Sequence, residues 1–335
     1  MAIGVKGTIK AEDLGVVALC EYMLYGLVGW ENDPWINFDR PKAFDAIVKA
    51  LKELKAAGGK TIVDYGGELL GRNTKMLTDI AAAVDVNIIA STGFGSQETI
   101  PGHFLMPLTE RALRDKAQKD VKVKMWVPDA NYLGDLFYDE LTKGMVMPGM
   151  MRSKSRAGII RTGSGWDKIT EIEELSLRGA AAAAKKTGAC VITESVNQAE
   201  RHMALMMGEG LEPERIIIGH CDDKRAIDLE RDKKIAQKGA FVAYNHIGWE
   251  DASIPHSIPD DRRVEMIKTM VEAGFAKNIV LSCSAIGYAI DVPQPKHSFA
   301  HLLKTFVPKL KKAGISDSAI NTMLVENPRR ILAGL

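Results

Sequence analysis

Eight short apolar runs recur along this chain, each closing on a polar residue or a thiol, with a turn and a helical pattern before the next. They lie at residues 16–20, 61–64, 87–92, 158–161, 190–194, 216–220, 241–245 and 279–283. The runs are apolar throughout rather than alternating. That suits strands of a parallel sheet whose outer face is covered by helices. Eight such units in 335 residues favour a closed α/β barrel, the (β/α)8 TIM barrel, over an open doubly wound sheet. No GxGxxG follows the first run, so a dinucleotide fold lacks its phosphate signature.

The helical stretches fit the same frame. Residues 41–56 place Phe44, Ile47, Val48, Leu51 and Leu54 on one face and stop at Gly58 and Gly59. Further patterns run over 72–84 and over the Ala-rich 168–187, which Gly188 ends. Residues 93–156 break the beat, with helical patterns near 109–119 and 131–143 and a Met-rich stretch at 145–151. This excursion is too long for an ordinary strand-to-helix connection and is expected to cover the barrel mouth within one domain spanning 1–335.

A net charge of +1 without basic runs gives no reason to expect nucleic acid or an anionic membrane as partner. No apolar run approaches the roughly 18 residues of a spanning helix, and residues 1–10 lack an apolar signal core, so a soluble, cytoplasmic protein is expected. Cys20, Cys190, Cys221 and Cys283 are scattered without a CxxC pair and read as reduced thiols.

Barrel enzymes carry their chemistry at the C-terminal ends of the strands. Those ends hold Cys20 with Glu21 and Tyr22, then Asp64, Arg161, Glu194, His220 with Asp222 and Asp223, Asn245 with His246, and Cys283 with Ser284. Taken singly, Asp64, Glu21 and Asp222 read equally well as acceptors of turn amides, and Cys20 and Cys283 as small buried hydrophobes. Arg161 and Glu194 are the obvious partners for each other, since a charge ending a buried strand needs one. The loops at 247–260 and 285–297 add Trp249, His256, Tyr288 and His297, and the excursion adds His103, Trp126 and Tyr132. Such a lining suits a small, partly apolar organic molecule.

With these residues in place the chain resembles the phosphotriesterase-like family of the amidohydrolases along nearly its whole length. AEDLGVVALCEY at 11–22, TIVDYGG at 61–67, GRNTKMLTDIAAAVDVNIIASTG at 71–93, AGIIRTGSG at 157–165, TGACVITES at 187–195, GLEPERIIIGHCDD at 210–223 and VENPRRIL at 325–332 follow in family order. The resemblance implies a hydrolase acting on a small ester or lactone, a homodimer, and two metal ions. Those ions are held by two His on strand one, a carboxylated Lys on strand four, a His each on strands five and six, and an Asp on strand eight. Here the matching positions carry Cys20, Tyr22, Arg161, Glu194, His220 and Ser284. Only the strand-six histidine is kept.

Arginine keeps its charge at any working pH and cannot be carboxylated as lysine is. A fixed positive charge about 5 Å from a divalent ion costs roughly 6 kcal/mol at an effective dielectric of ~20. A structural zinc site gains about 10–16 kcal/mol. The expectation is therefore no metal cofactor, with a single zinc on Cys20, Glu194 and His220 as the alternative. The catalytic candidates are His220 as general acid or base, Arg161 as oxyanion donor oriented by Glu194, Cys20 as nucleophile and Tyr22 as proton donor. Asp64, His246, Trp249, Cys283 and Ser284 are candidate substrate contacts. Three readings stay open: ester or lactone hydrolase, metal-independent lyase or decarboxylase on a small carboxylate or aromatic acid, and non-catalytic binding protein.

Overall fold

A computed structural model of the chain describes residues 1–117, 127–147, 151–194 and 196–334, with the side chains of 111–117 left aside. The eight expected strands are present as β1 (Val16–Gly26), β2 (Gly59–Asp64), β3 (Asn87–Gly93), β4 (Ala157–Thr162), β5 (Val191–Thr193), β6 (Ile216–Ile218), β7 (Phe241–Tyr244) and β8 (Ile279–Leu281). A ninth, β9 (Ile286–Ile290), follows at once. All pair in parallel in the order β8-β7-β6-β5-β4-β3-β2-β1-β9.

Because the chain just after β8 reaches β1, the sheet closes on itself. Ser284 N donates to Cys20 O at 3.0 Å and Tyr22 N to Ala285 O at 2.9 Å. Glu21 stitches this seam. Its carboxylate accepts from Ser282 Oγ (2.6 Å), Cys283 N (3.0 Å) and Ala285 N (2.6 Å).

Successive side chains of a strand point to opposite faces, so the continuous apolar runs divide between two layers. Val17, Leu19, Val63, Ile89, Ile159, Ile192, Ile217, Ala243 and Val280 fill the barrel interior. Their neighbours Ala18, Ile62, Ile88, Ile160, Val191, Ile216, Val242 and Ile279 pack under the outer helices. A register shift in the β1–β2 ladder between Ala18 and Glu21 changes the phase, so Cys20 and Tyr22 also join the inner layer.

The outer helices are α1 (Arg40–Ala56), α2 (Thr74–Ala83), α3 (Gly102–Ala117), α4 (Ala130–Thr142), α5 (Glu171–Thr187), α6 (Ala199–Gly208), α7 (Leu229–Gln237) and α8 (Asp260–Glu272). Asp39, Asn73, Asp129 and Asp228 cap α1, α2, α4 and α7 by accepting first-turn amides. Gly188, at φ 76°, ends α5 as expected.

Part of the excursion lies away from the mouth, although its Thr99 lines a cavity there. The excursion's second helix, α4, packs on β3, β4 and α5 and so belongs to the outer helical layer. Arg72 fastens it there with a two-pronged bond to Glu140, at 2.6 and 2.8 Å. Of the excursion's expected lid residues, Trp126 lies outside the described residues, as does part of the Met-rich stretch. Among the described residues no helix is long and apolar enough to cross a membrane.

Candidate active site

The inner face of the barrel delivers its charges two residues beyond the last apolar inward side chain. Arg161 follows Ile159 on β4, and Glu194 follows Ile192 just past β5. Arg161 Nε donates to Glu194 Oε1 at 2.8 Å, and Nη2 donates to the same oxygen. Its Nη1 donates to Gly66 O at 3.0 Å, and the guanidinium lies 5.1 Å from the centre of the Tyr65 ring. Burial works against this charge, but Glu194 with Tyr22 and Tyr65 outweighs it and holds the Arg161 pKa above its ordinary value.

The pair needs a bare backbone beside it. A Cβ on Gly95 would overlap Glu194 Oε2 and stand 2.7 Å from Arg161 Nη2.

His220 reaches the same space through a strained turn. Its φ is +60°, in the left-handed region, and its amide donates to Asn245 Oδ1 at 2.7 Å. Burial pushes its pKa below the usual histidine value, only partly offset by Glu194, Asp222 and Asp223. The ring is therefore neutral at pH 7. Its centre is 4.4 Å from that of His246, which is 4.5 Å from that of His256. Ser284, also left-handed at φ 44°, accepts from Asn245 Nδ2 at 3.4 Å.

These groups line a cavity of about 540 Å³ at the C-terminal mouth. Of the ten residues expected at the site, Tyr22, Arg161, Glu194, His220, His246, Trp249 and Ser284 line it, with Tyr25, Leu70, Thr99, Ile254, Ile286 and Val292 supplying much of the wall. Trp249 is pinned by its indole N–H, which donates to Cys283 O at 2.9 Å. Tyr22 stays protonated, since burial lifts its hydroxyl well above the usual tyrosine range.

Three expected residues stand elsewhere. Asp64 is out of phase with inward-facing Val63 and Tyr65; its Oδ1 accepts from Met23 N at 3.0 Å, and burial raises its pKa to about 6. Cys20 is fully buried off the cavity, and burial together with the Glu21 charge raises its thiol pKa, the opposite of nucleophile activation. Cys283 is likewise buried with a raised pKa and contributes its carbonyl rather than its sulfur.

The sequence reading missed two groups around the cavity. Arg263 on α8 is fully buried. It donates to Asp222 Oδ2 (2.7 Å), Asp260 Oδ1 (3.0 Å) and Trp249 O (3.1 Å), tying the wall loop to β6. Asp222 in turn accepts from the Asn245 and His246 amides. Arg225 lies on the rim, paired with Asp223. Nothing in the local sequence marks Arg263, whereas Arg225 stands two residues past the end of GHCDD in the same loop.

The side chains do not fit the pair of metal ions that the resemblance implies. A permanent cation replaces one ligand and engages the Glu194 carboxylate, and the strand-one thiol lies off the cavity. Among the described residues no three His, Cys, Asp or Glu side chains gather into a group able to hold a metal ion, and the Cys20, Glu194 and His220 set is not brought together.

Known proteins share the architecture. A phosphotriesterase homology protein of Mycobacterium tuberculosis is 29% identical over 337 residues, covering 97% of this chain and 95% of its own. A phospho-furanose lactonase of Mycoplasmopsis synoviae is 28% identical, with 98% and 90% covered. The crystal structure of a mutant PTE-like lactonase of Deinococcus radiodurans superposes with a TM-score of 0.84 at 25% identity, over 99% of this chain and 100% of that one. The model of the phosphotriesterase family matches residues 3–332, and the chain belongs to that family.

Proposed function

We propose that this protein hydrolyses a small, partly apolar lactone or ester in the mouth cavity, with an organic cation in the role that metal ions play in the family resemblance. The observation that carries the reading is the Arg161–Glu194 pair sharing one cavity with His220. The lactonase names of two relatives support the reaction class.

The guanidinium has five N–H donors. Two point to Glu194 and one to Gly66, which leaves one on each terminal nitrogen. Those two would take the carbonyl oxygen and stabilise it as charge develops. Glu194 fixes the plane of the guanidinium and limits its motion. Neutral His220 would take a proton from the attacking water and return it to the leaving alkoxide as the ring C–O bond breaks. Tyr22, held protonated, would donate a hydrogen bond.

The test is turnover of a panel of lactones and esters by chelator-treated protein, beside Arg161→Met and His220→Ala. Turnover should survive chelation and fall by roughly a hundredfold or more in each variant. Activity lost on chelation and restored by zinc or manganese, or equal rates in both variants and wild type, overturns the reading.

A further inference from the structure

The rim of the cavity holds a second guanidinium, and its setting is built rather than incidental. Arg225, in the loop after β6, sits over Trp166, its central carbon 4.0 Å from the ring centre. Asp223 grips one edge, accepting Nε at 3.0 Å and Nη2 at 2.7 Å. Oδ1, the oxygen that accepts Nε, also accepts the Arg225 backbone amide at 2.9 Å. Trp166 is anchored from a third loop, since the side-chain amides of Asn197 and Gln198 both donate to its carbonyl. Loops from β4, β5 and β6 thus converge to fix one planar cation. Its Nη1 has no hydrogen-bond partner among the described residues.

Asp223 is buried, with a side chain 2% exposed, whereas that of Arg225 is 45% exposed, and both line the cavity. The turn itself needs only the amide of residue 225, which any residue but proline would supply. Clamping the guanidinium has a different effect. A side chain already held in one rotamer loses little further freedom when a ligand arrives. An open guanidinium edge offers charge-assisted hydrogen bonds to a carboxylate or a phosphate.

We propose that Arg225 is a specificity residue that grips an anionic group on the substrate, so that the lactone or ester carries a carboxylate or a phosphate away from its reacting carbonyl. This rests on the hydrolytic reading above for the identity of the reacting group, but not for the anion site. Arg161 would meet the carbonyl and Arg225 the remote anion, while the apolar wall between the loops receives the carbon skeleton.

The experiment has two arms. In the first, kcat/KM is compared for a neutral γ-lactone, the same ring bearing a carboxylate and the same ring bearing a phosphomethyl group. The proteins are wild type, Arg225→Gln and Arg225→Lys. Wild type should favour one of the anionic rings over the neutral ring by roughly tenfold to a hundredfold. Arg225→Gln should shrink that ratio at least about tenfold, through KM rather than kcat. Arg225→Lys should retain part of it. Which anionic ring gains more identifies the source of the charge.

The second arm needs no turnover. Calorimetric titration with tetrahydrofuran-2-carboxylate and with its phosphomethyl counterpart, neither of which can be hydrolysed, should show binding that weakens in Arg225→Gln and in high salt. Binding with that pattern upholds the anion site even if no lactone is turned over, an outcome that would sink only the hydrolytic reading. Equal binding by wild type and Arg225→Gln, or an unchanged anionic-to-neutral ratio, overturns the proposal.

Discussion

Replacing Arg161 with methionine isolates the ion pair at the centre of the site. The two side chains are 3% and 12% exposed, so solvent screens them little. Methionine removes both bonds to Glu194 Oε1, the 3.0 Å bond to Gly66 O and the cation beside Tyr65. Removing one partner of a buried pair costs about 3–5 kcal/mol, since it strands a desolvated charge. The Coulomb attraction of two charges ~4 Å apart at an effective dielectric of ~20 is about 4 kcal/mol, the same size. Against a total stability of about 5–15 kcal/mol this is a large loss. Replacing both partners, Arg161→Met with Glu194→Leu, removes the desolvation penalty along with the attraction. That double variant should be within about 1 kcal/mol of wild type, or more stable. The assay is urea unfolding at pH 7 of all four members of the cycle, followed by circular dichroism, and a coupling energy of about 3 kcal/mol is expected. A stable, inactive double variant would mean that the pair is kept for chemistry rather than for folding. A coupling energy below about 1 kcal/mol would refute the reasoning, because the guanidinium would then not be held by Glu194.

Two other perturbations test the site and the barrel seam. Gly95→Ala forces a methyl group against Glu194 Oε2 and Arg161 Nη2; turnover should fall about a hundredfold with a stability loss of about 1–3 kcal/mol, and unchanged kinetics would show that the pair is not positioned for the reaction. Burial raises the Glu21 pKa to about 7 from an ordinary value near 4.5. The folded state therefore binds this proton more tightly, and the contribution, full below pH 4.5, is lost as pH rises through 7. The stability difference between wild type and Glu21→Gln should shrink by about 3 kcal/mol between pH 4.5 and 8, at about 1.4 kcal/mol per pH unit; a pH-independent difference would rule this out.

The strand pattern was legible because a parallel barrel writes itself as continuous apolar runs, and all eight were found where the sequence placed them. β1 was read too short. Its second half, Tyr22–Gly26, pairs with β9, a partner more than 260 residues away that no local pattern announces. The cavity lining was legible where a charge ended an inward-facing parity, as at Arg161 and Glu194. It misled at Asp64, whose polar side chain also ends an apolar run but falls on the wrong face. Cys20 misled differently: it does face inward, yet it is sealed within the barrel. The Arg263 contacts depend on α8 docking against the β6 loop, a tertiary event without a sequence signature. The length of the excursion suggested a cover, because the ordinary outer-layer role of α4 rests on its packing against α5 and on the Arg72–Glu140 bond.

The Glu21 seam also dictates an order of assembly. Its acceptors wait for Ser282, Cys283 and Ala285, which lie 261 to 264 positions further along the chain. During synthesis, every earlier βα unit emerges while β1 still presents an unpaired edge and a carboxylate without its donors. Such distant contacts make closure slow and leave the growing polypeptide open to edge-to-edge association. A product truncated ahead of residue 282 would carry the whole of β1 to β8 and still be an open sheet, prone to stick to its own copies until the final fifty-odd residues arrive.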